Sequence, residues 1–249
     1  MKKLLFLFLF CGVSLCFANG FVNLLGDDST KELQEIADQQ YNRVCKLLNL
    51  EEGKVINIKI YPSIEELHQD LNLADSDWII GGYCDDYIGL VSHLNPGSCH
   101  SGESVIRALH ADIAGVLLAE FCQGTAPEWM LNGYSYYQPT ELPEGAYSKS
   151  MLNGTVKNLA KDPLNFSLAN LNNESMSDSY YKEPDPKKWI MEERERSSLG
   201  YSLLAYIINT YGYEKLAIFA QTDSVKEAFN LSLEEFEDGW FNYAKAMTY

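Results

Sequence analysis

Residues 105–122 read Val105-Ile106-Arg107-Ala108-Leu109-His110-Ala111-Asp112-Ile113-Ala114-Gly115-Val116-Leu117-Leu118-Ala119-Glu120-Phe121-Cys122. The apolar residues at 105, 106, 109, 113, 116, 117, 118 and 121 occupy most of a helical circumference, which predicts a helix from about 102 to 122 buried on nearly all sides. Asn95-Pro96-Gly97 is a loop before it, and Gly124 and Pro127 close it. A second helix is expected from near Pro127, carrying Trp129-Met130-Leu131-Asn132-Gly133-Tyr134.

Working outward toward the N-terminus, Trp78-Ile79-Ile80-Gly81-Gly82-Tyr83 and Tyr87-Ile88-Gly89-Leu90-Val91 read as strands joined by Cys84-Asp85-Asp86. Val55, Ile56, Ile58 and Ile60 make a strand ended by Pro62, followed by a short helix opened by Ser63 and Glu66. Ser29 and Glu32 have the same capping pattern before an apolar stripe that runs to about Leu48. Toward the C-terminus, 138–186 is rich in Asn, Ser, Pro, Glu and Gly and predicts an irregular segment with at most a short helix near 156–160. Helices resume near Lys188, with a strong one over 199–210 ending at Gly212, then 224–229, then 234–247 behind the Ser232/Glu235 capping box.

The 249 residues carry a formal net charge of −16, spread along the chain, with 46% hydrophobic and 12% aromatic residues. That composition describes a folded globule and argues against nucleic acid or an anionic membrane as partner. Lys2-Lys3, the apolar run 4–11 and Phe17-Ala18 have the order of a secretory signal peptide, so cleavage is expected after Ala18. The expected location is therefore secreted or extracytoplasmic, with no stable membrane span. In such a compartment Cys45, Cys84, Cys99 and Cys122 should form disulfides, in any of three connectivities. Cys84 and Cys99 flank a predicted strand and its loop, which favours pairing them and leaves Cys45 for Cys122.

The order of these blocks resembles the gluzincin peptidases, specifically the small exported "peptidase MA-like" group. The resemblance rests on Ile58-Lys59-Ile60-Tyr61-Pro62, then Trp78-Ile79-Ile80-Gly81-Gly82, then the helix at Ala111, then Pro127-Glu128-Trp129-Met130-Leu131-Asn132-Gly133-Tyr134-Ser135-Tyr136-Tyr137. Gly200-Tyr201-Ser202 through Tyr211-Gly212, and Ala228-Phe229 through Glu234-Glu235-Phe236 and Trp240, complete it. It implies an α+β fold: a thermolysin-like mixed sheet with an active-site helix over 19–140, then a mainly helical lobe over 141–249. Family members place His-Glu-x-x-His on the active-site helix and a Glu on the next one. The histidines at i and i+4 share a helical face and ligate Zn²⁺ with that Glu, while the intervening Glu acts as general base.

This chain departs at every such position. Ala111 and Gly115 stand where the histidines belong, Asn132 where the ligand Glu belongs, and Asp112 where the base belongs. Sliding the register to His110-Ala111-Asp112-Ile113-Ala114 restores neither a base nor a second ligand. No catalytic residue, metal or cofactor is therefore expected, and the four positions are a degenerate site. The competing reading of Gly115 is a packing glycine that costs the helix roughly 1 kcal/mol.

Other constellations are weaker. His93, Cys99, His100, Glu103 and His110 lack ligand-pair spacing, and no Gly-x-Ser-x-Gly, Gly-x-Gly-x-x-Gly or Walker pattern occurs. Asn153, Asn165, Asn173 and Asn230 head glycosylation sequons. Trp129, Tyr134, Tyr136, Tyr137 and Tyr201 should lie near the former cleft, mostly as packing. The expected function is an exported, catalytically inactive binding or scaffolding protein, with a peptide or protein ligand in the former substrate cleft. The alternative is a divergent metallopeptidase or other hydrolase using non-standard residues.

Overall fold

Alternation in Ile56-Asn57-Ile58-Lys59-Ile60-Tyr61 sends the isoleucines into the core and leaves Asn57 and Lys59 half-covered, the pattern of a strand with unlike faces. This strand, β2 (Ile56–Tyr61), is central to the sheet in a computed structural model that describes residues 21–51, 54–73, 77, 79–84, 86–142, 145–172 and 186–247. It pairs in parallel with β1 (Val22–Leu25) on one side and β4 (Ile88–Val91) on the other; β3 (Gly81–Tyr83) runs antiparallel to β4 at the edge. The order is β1-β2-β4-β3.

Two helices lead into the sheet. Between β1 and β2 comes α1 (Lys31–Leu48), and after β2 comes α2 (Ile64–Leu71). Ser63 caps α2 as the sequence implies, but Thr30, not Ser29, caps α1; the Ser29 hydroxyl turns back to the carbonyl of Gly26. Gly89 of β4 explains how α2 docks, because a Cβ there would lie 2.6 Å from a Leu71 methyl and 3.0 Å from one of Leu67. On the opposite face, Gly81 sits across from Leu90 in register and looks onto α3 (Gly102–Phe121), capped by Ser101.

The rest is helical: α4 (Glu128–Thr140), α5 (Ala146–Leu159), a 3₁₀ turn at Pro163–Asn165, α6 (Leu168–Asn172), α7 (Pro186–Tyr211), α8 (Tyr213–Thr222), α9 (Val225–Phe229) and α10 (Leu233–Ala246). The coarse class is α+β, a small mixed sheet among mostly helical elements. One cluster of buried side chains runs from Val22 to Met247. Within it Trp240 donates to the Ser202 hydroxyl at 2.9 Å, and the expected Ser232/Glu235 capping box closes on α10.

Several expectations need correction. The sequence reading omits β1, whose four residues are held by β2 and by the Gln34 side chain on the carbonyl of Val22. The strand expected over 78–83 is confined to Gly81–Tyr83; Trp78 and Asp85 lie outside the described residues, as does the signal-like segment 1–18. Much of 138–172 is helical, not irregular. In α5 the stripe Leu152, Val156 and Leu159 packs into the core despite the polar composition around it. Helix α8 is also absent from the sequence reading. Its Leu216, Phe219 and Ala220 are buried, but it follows α7 with only Gly212 between them. Gly212 makes this possible at φ 83°, its N–H bonding back to Ile207 and Ile208.

Neither expected disulfide is formed. Cys45 on α1 and Cys122 at the end of α3 are buried, and burial pushes the Cys122 thiol up to about 11; Cys84 and Cys99 are exposed. No described helix is long and apolar enough to cross a membrane.

Candidate functional site

Helix α3 places Ala111 and Gly115 one turn apart on a common face, with Asp112 beside them. Gly115 looks across to α4. A Cβ built on it would lie 2.8 Å from the Ser135 hydroxyl and 3.8 Å from that of Tyr83. Ser135 is three residues beyond Asn132, so helical spacing puts both on the side of α4 turned to α3. The fold thus brings Gly115 onto the α4 face that carries Asn132, with β3 as the third wall.

Asp112 is the one ionisable group of the four motif positions. Its Oδ1 accepts from the Tyr83 hydroxyl at 3.0 Å, and its Oδ2 lies 3.9 Å from where a Cβ of Gly81 would sit. The residue is half-buried, with Gly81 and Tyr83 beside its carboxyl. Burial pushes that carboxyl up to about 7, against the smaller lowering effect of the Tyr83 hydrogen bond. Tyr83 is itself raised well above its ordinary value, first by burial of its hydroxyl and then by the Asp112 charge, although the residue is 65% exposed.

The donor set does not fit the zinc ion that the family resemblance implies. Ala111 and Gly115 offer no ligand atom, Asp112 is engaged by a phenol, and no three His, Cys, Asp or Glu side chains among the described residues are grouped to hold an ion. His93, Cys99, His100, Glu103 and His110 form no such group. His110 is buried on α3, where its carbonyl accepts from Gln40, and His68 bonds to the carbonyl of Ile79.

The aromatic residues divide. Trp129, Tyr134, Tyr137 and Tyr201 are buried packing groups, with Tyr134 on Tyr137 and Tyr137 on Tyr201, whereas Tyr136 is 43% exposed. Asn153, first residue of one sequon, is buried and accepts from the Tyr201 hydroxyl. Asn173 lies outside the described residues.

A cavity lies elsewhere among the described residues. About 600 Å³ is bounded by Asp27, Asp28, Lys59, Tyr61, Glu66 and Asp70 at the end of β2. There the Tyr61 hydroxyl donates to Asp70, joined by Lys59 at 2.7 Å and the Tyr87 hydroxyl at 3.2 Å, and these donors hold Asp70 down at about 2. Tyr61 is thereby tied to α2 through Asp70.

Sequence reasoning did not single out Tyr83, Gly81 and Ser135 as site residues. The signal was present: Gly81 and Tyr83 are two apart on a strand and share a side, and Ser135 is a helical i+3 of Asn132. Only the docking of β3 and α4 on α3 gives those spacings meaning. No protein-family model matches the chain, and a search of curated proteins finds no match.

Proposed function

We propose that this chain is an exported binding protein on a degenerate gluzincin scaffold, and that it takes an extended peptide along β3 without cleaving it. One observation carries the reading. β3 is an edge strand lying against the stretch of α3 where Asp112 and Gly115 stand. Ile80 and Cys84 bond to β4 through Val91 and Tyr87, so by alternation Gly82 also turns its polar backbone toward β4. The N–H and C=O groups of Gly81 and Tyr83 then point away from β4, as a strand-adding ligand requires.

The alternative, a hydrolase with non-standard residues, has Asp112 in its favour, since a carboxyl at about 7 can accept a proton near neutral pH. Ligand counting weighs against a metal-dependent one: no three His, Cys, Asp or Glu side chains among the described residues are grouped to hold an ion. Fluorescent ten-residue peptides of alternating Ser, Val and Thr test the proposal. They should bind the protein, lose binding when N-methylated at alternate residues, and be recovered intact by mass spectrometry. Equal binding by N-methylated and unmodified peptides defeats the edge-strand reading, and cleaved products defeat the inactive one.

A further inference from the structure

A different cavity opens among the helices that follow α3. It holds about 420 Å³ between α4, α5, α7 and α10, inside the range of roughly 300–1,000 Å³ common to small-molecule sites. Tyr137 of α4 lines it at only 5% exposure, and its hydroxyl makes no hydrogen bond among the described residues. Burial raises that phenol above its ordinary range, and Glu141, Tyr213, Tyr243 and Tyr201 add to the effect. Of these, Glu141, Tyr243 and Tyr201 also line the cavity, which puts the hydroxyl on the cavity side. A phenol buried without a partner is costly, and a ligand group that bonds it recovers the loss.

The rest of the wall defines what would fit. Tyr201 donates to Asn153 at 3.0 Å, and Asn209 donates to the Tyr243 hydroxyl at 2.8 Å. Uncommitted among the described residues are the Tyr137 hydroxyl on α4, the Ser150 hydroxyl on α5 and the side-chain carbonyl of Asn209 on α7. The charged groups cancel, because Lys149 pairs with Glu141 at 2.8 Å, so the wall attracts neither a cation nor an anion. Between the polar groups lie Ala205, Ala246, Met247 and the tyrosine rings. Groups that donate and accept, set on three helices around apolar surface, suit hydroxyls arrayed round a ring with C–H faces between them. A flat aromatic ligand carries its polar atoms along an edge, and an acyl chain carries none.

We propose that this cavity is a binding site for a neutral sugar of one or two rings, held by Tyr137, Ser150 and Asn209. The site is separate from the β3 edge, and neither reading depends on the other.

The test adds glucose, galactose, mannose, N-acetylglucosamine or maltose to the full chain, with binding read by saturation-transfer NMR and then titrated. At least one should bind, and glucosamine and gluconate should bind no more tightly than the best neutral sugar. Tyr137→Phe removes an oxygen that bonds nothing in the fold. It should keep the parent's urea midpoint and weaken that sugar about fivefold, the worth of one hydrogen bond. Ala246→Trp, at an exposed position of the wall, should block the mouth and abolish binding; it decides the question should Tyr137→Phe fold poorly. If no sugar of the set binds, if a charged analogue binds best, or if the folded variants bind as tightly as the parent, the sugar site is wrong.

Discussion

Helix α4 has two unlike neighbours, and a glycine marks each contact. Toward α7, a Cβ on Gly133 would lie 2.6 Å from the carbonyl carbon and oxygen of Gly200, so the two backbones touch. Toward α3, a Cβ on Gly115 would meet only a serine hydroxyl at 2.8 Å, a group that can rotate aside. The first contact is rigid and apolar, bordered by the buried Trp129, Tyr134 and Tyr201. The second is polar, edged by Asp112 and Tyr83. Under the proposed reading the first contact serves stability, and the second is the one open to binding chemistry.

The sharpest way to break this contrast is Gly133→Ala. With backbone on both sides, the added methyl should cost about 3 kcal/mol or more, read as a lower urea midpoint at unchanged slope. A change near zero means the α4–α7 contact is not rigid, and the comparison fails.

Next in size is the restoration of a metal site. Ala111→His, Gly115→His and Asn132→Glu, combined with Ser135→Ala to clear the hydroxyl beside Gly115, should yield a folded chain that binds zinc. With zinc at a hundredfold over its Kd, the stabilisation is about 2.7 kcal/mol, visible as a raised Tm that the parent lacks. If the folded variant gains no zinc affinity, positions 111, 115 and 132 do not converge, and the gluzincin reading is wrong.

The third prediction follows from the Asp112 carboxyl. Its folded pKa of about 7 lies above the 3.8 of a free carboxyl, so between these values the folded state holds more protons than the unfolded one. Stability therefore falls as pH rises from about 4 to 7, by about 2 kcal/mol after discounting the full shift for the residue's partial exposure. Asp112→Asn should flatten that part of the profile and be the more stable form at pH 8. A slope identical in parent and variant removes Asp112 as its source.

Smallest is Gly115→Ala. Helix propensity favours alanine by about 1 kcal/mol, and displacing the Ser135 hydroxyl offsets it, so stability should change by less than about 1 kcal/mol. A loss as large as that of Gly133→Ala makes Gly115 a packing glycine after all.

How far the sequence reached depends on the range of the interactions involved. Capping pairs and periodic stripes act within a few residues, so Ser63 and Ser232 at helix starts, the β2 alternation and the extent of α3 follow from local order. That Ala111 and Gly115 carry no metal-ligand atom is likewise a matter of residue identity alone. Helix α5 was hidden because its Asn, Ser and Gly content favours turns, and what holds it helical is packing on α7 through Leu152, Val156 and the Tyr201–Asn153 bond. Strand β1 was hidden because four residues carry too little periodicity without their partner β2.

Only the tertiary structure decided the site. Tyr83 and Asp112 are 29 residues apart, and nothing local makes a phenol and a carboxyl neighbours. That Gly133 is locked and Gly115 is not is equally illegible in the sequence, where both are single glycines in apolar helices. The difference lies in what each faces, Gly200 backbone or a Ser135 hydroxyl, because a missing side chain has no meaning until another element arrives to fill its space.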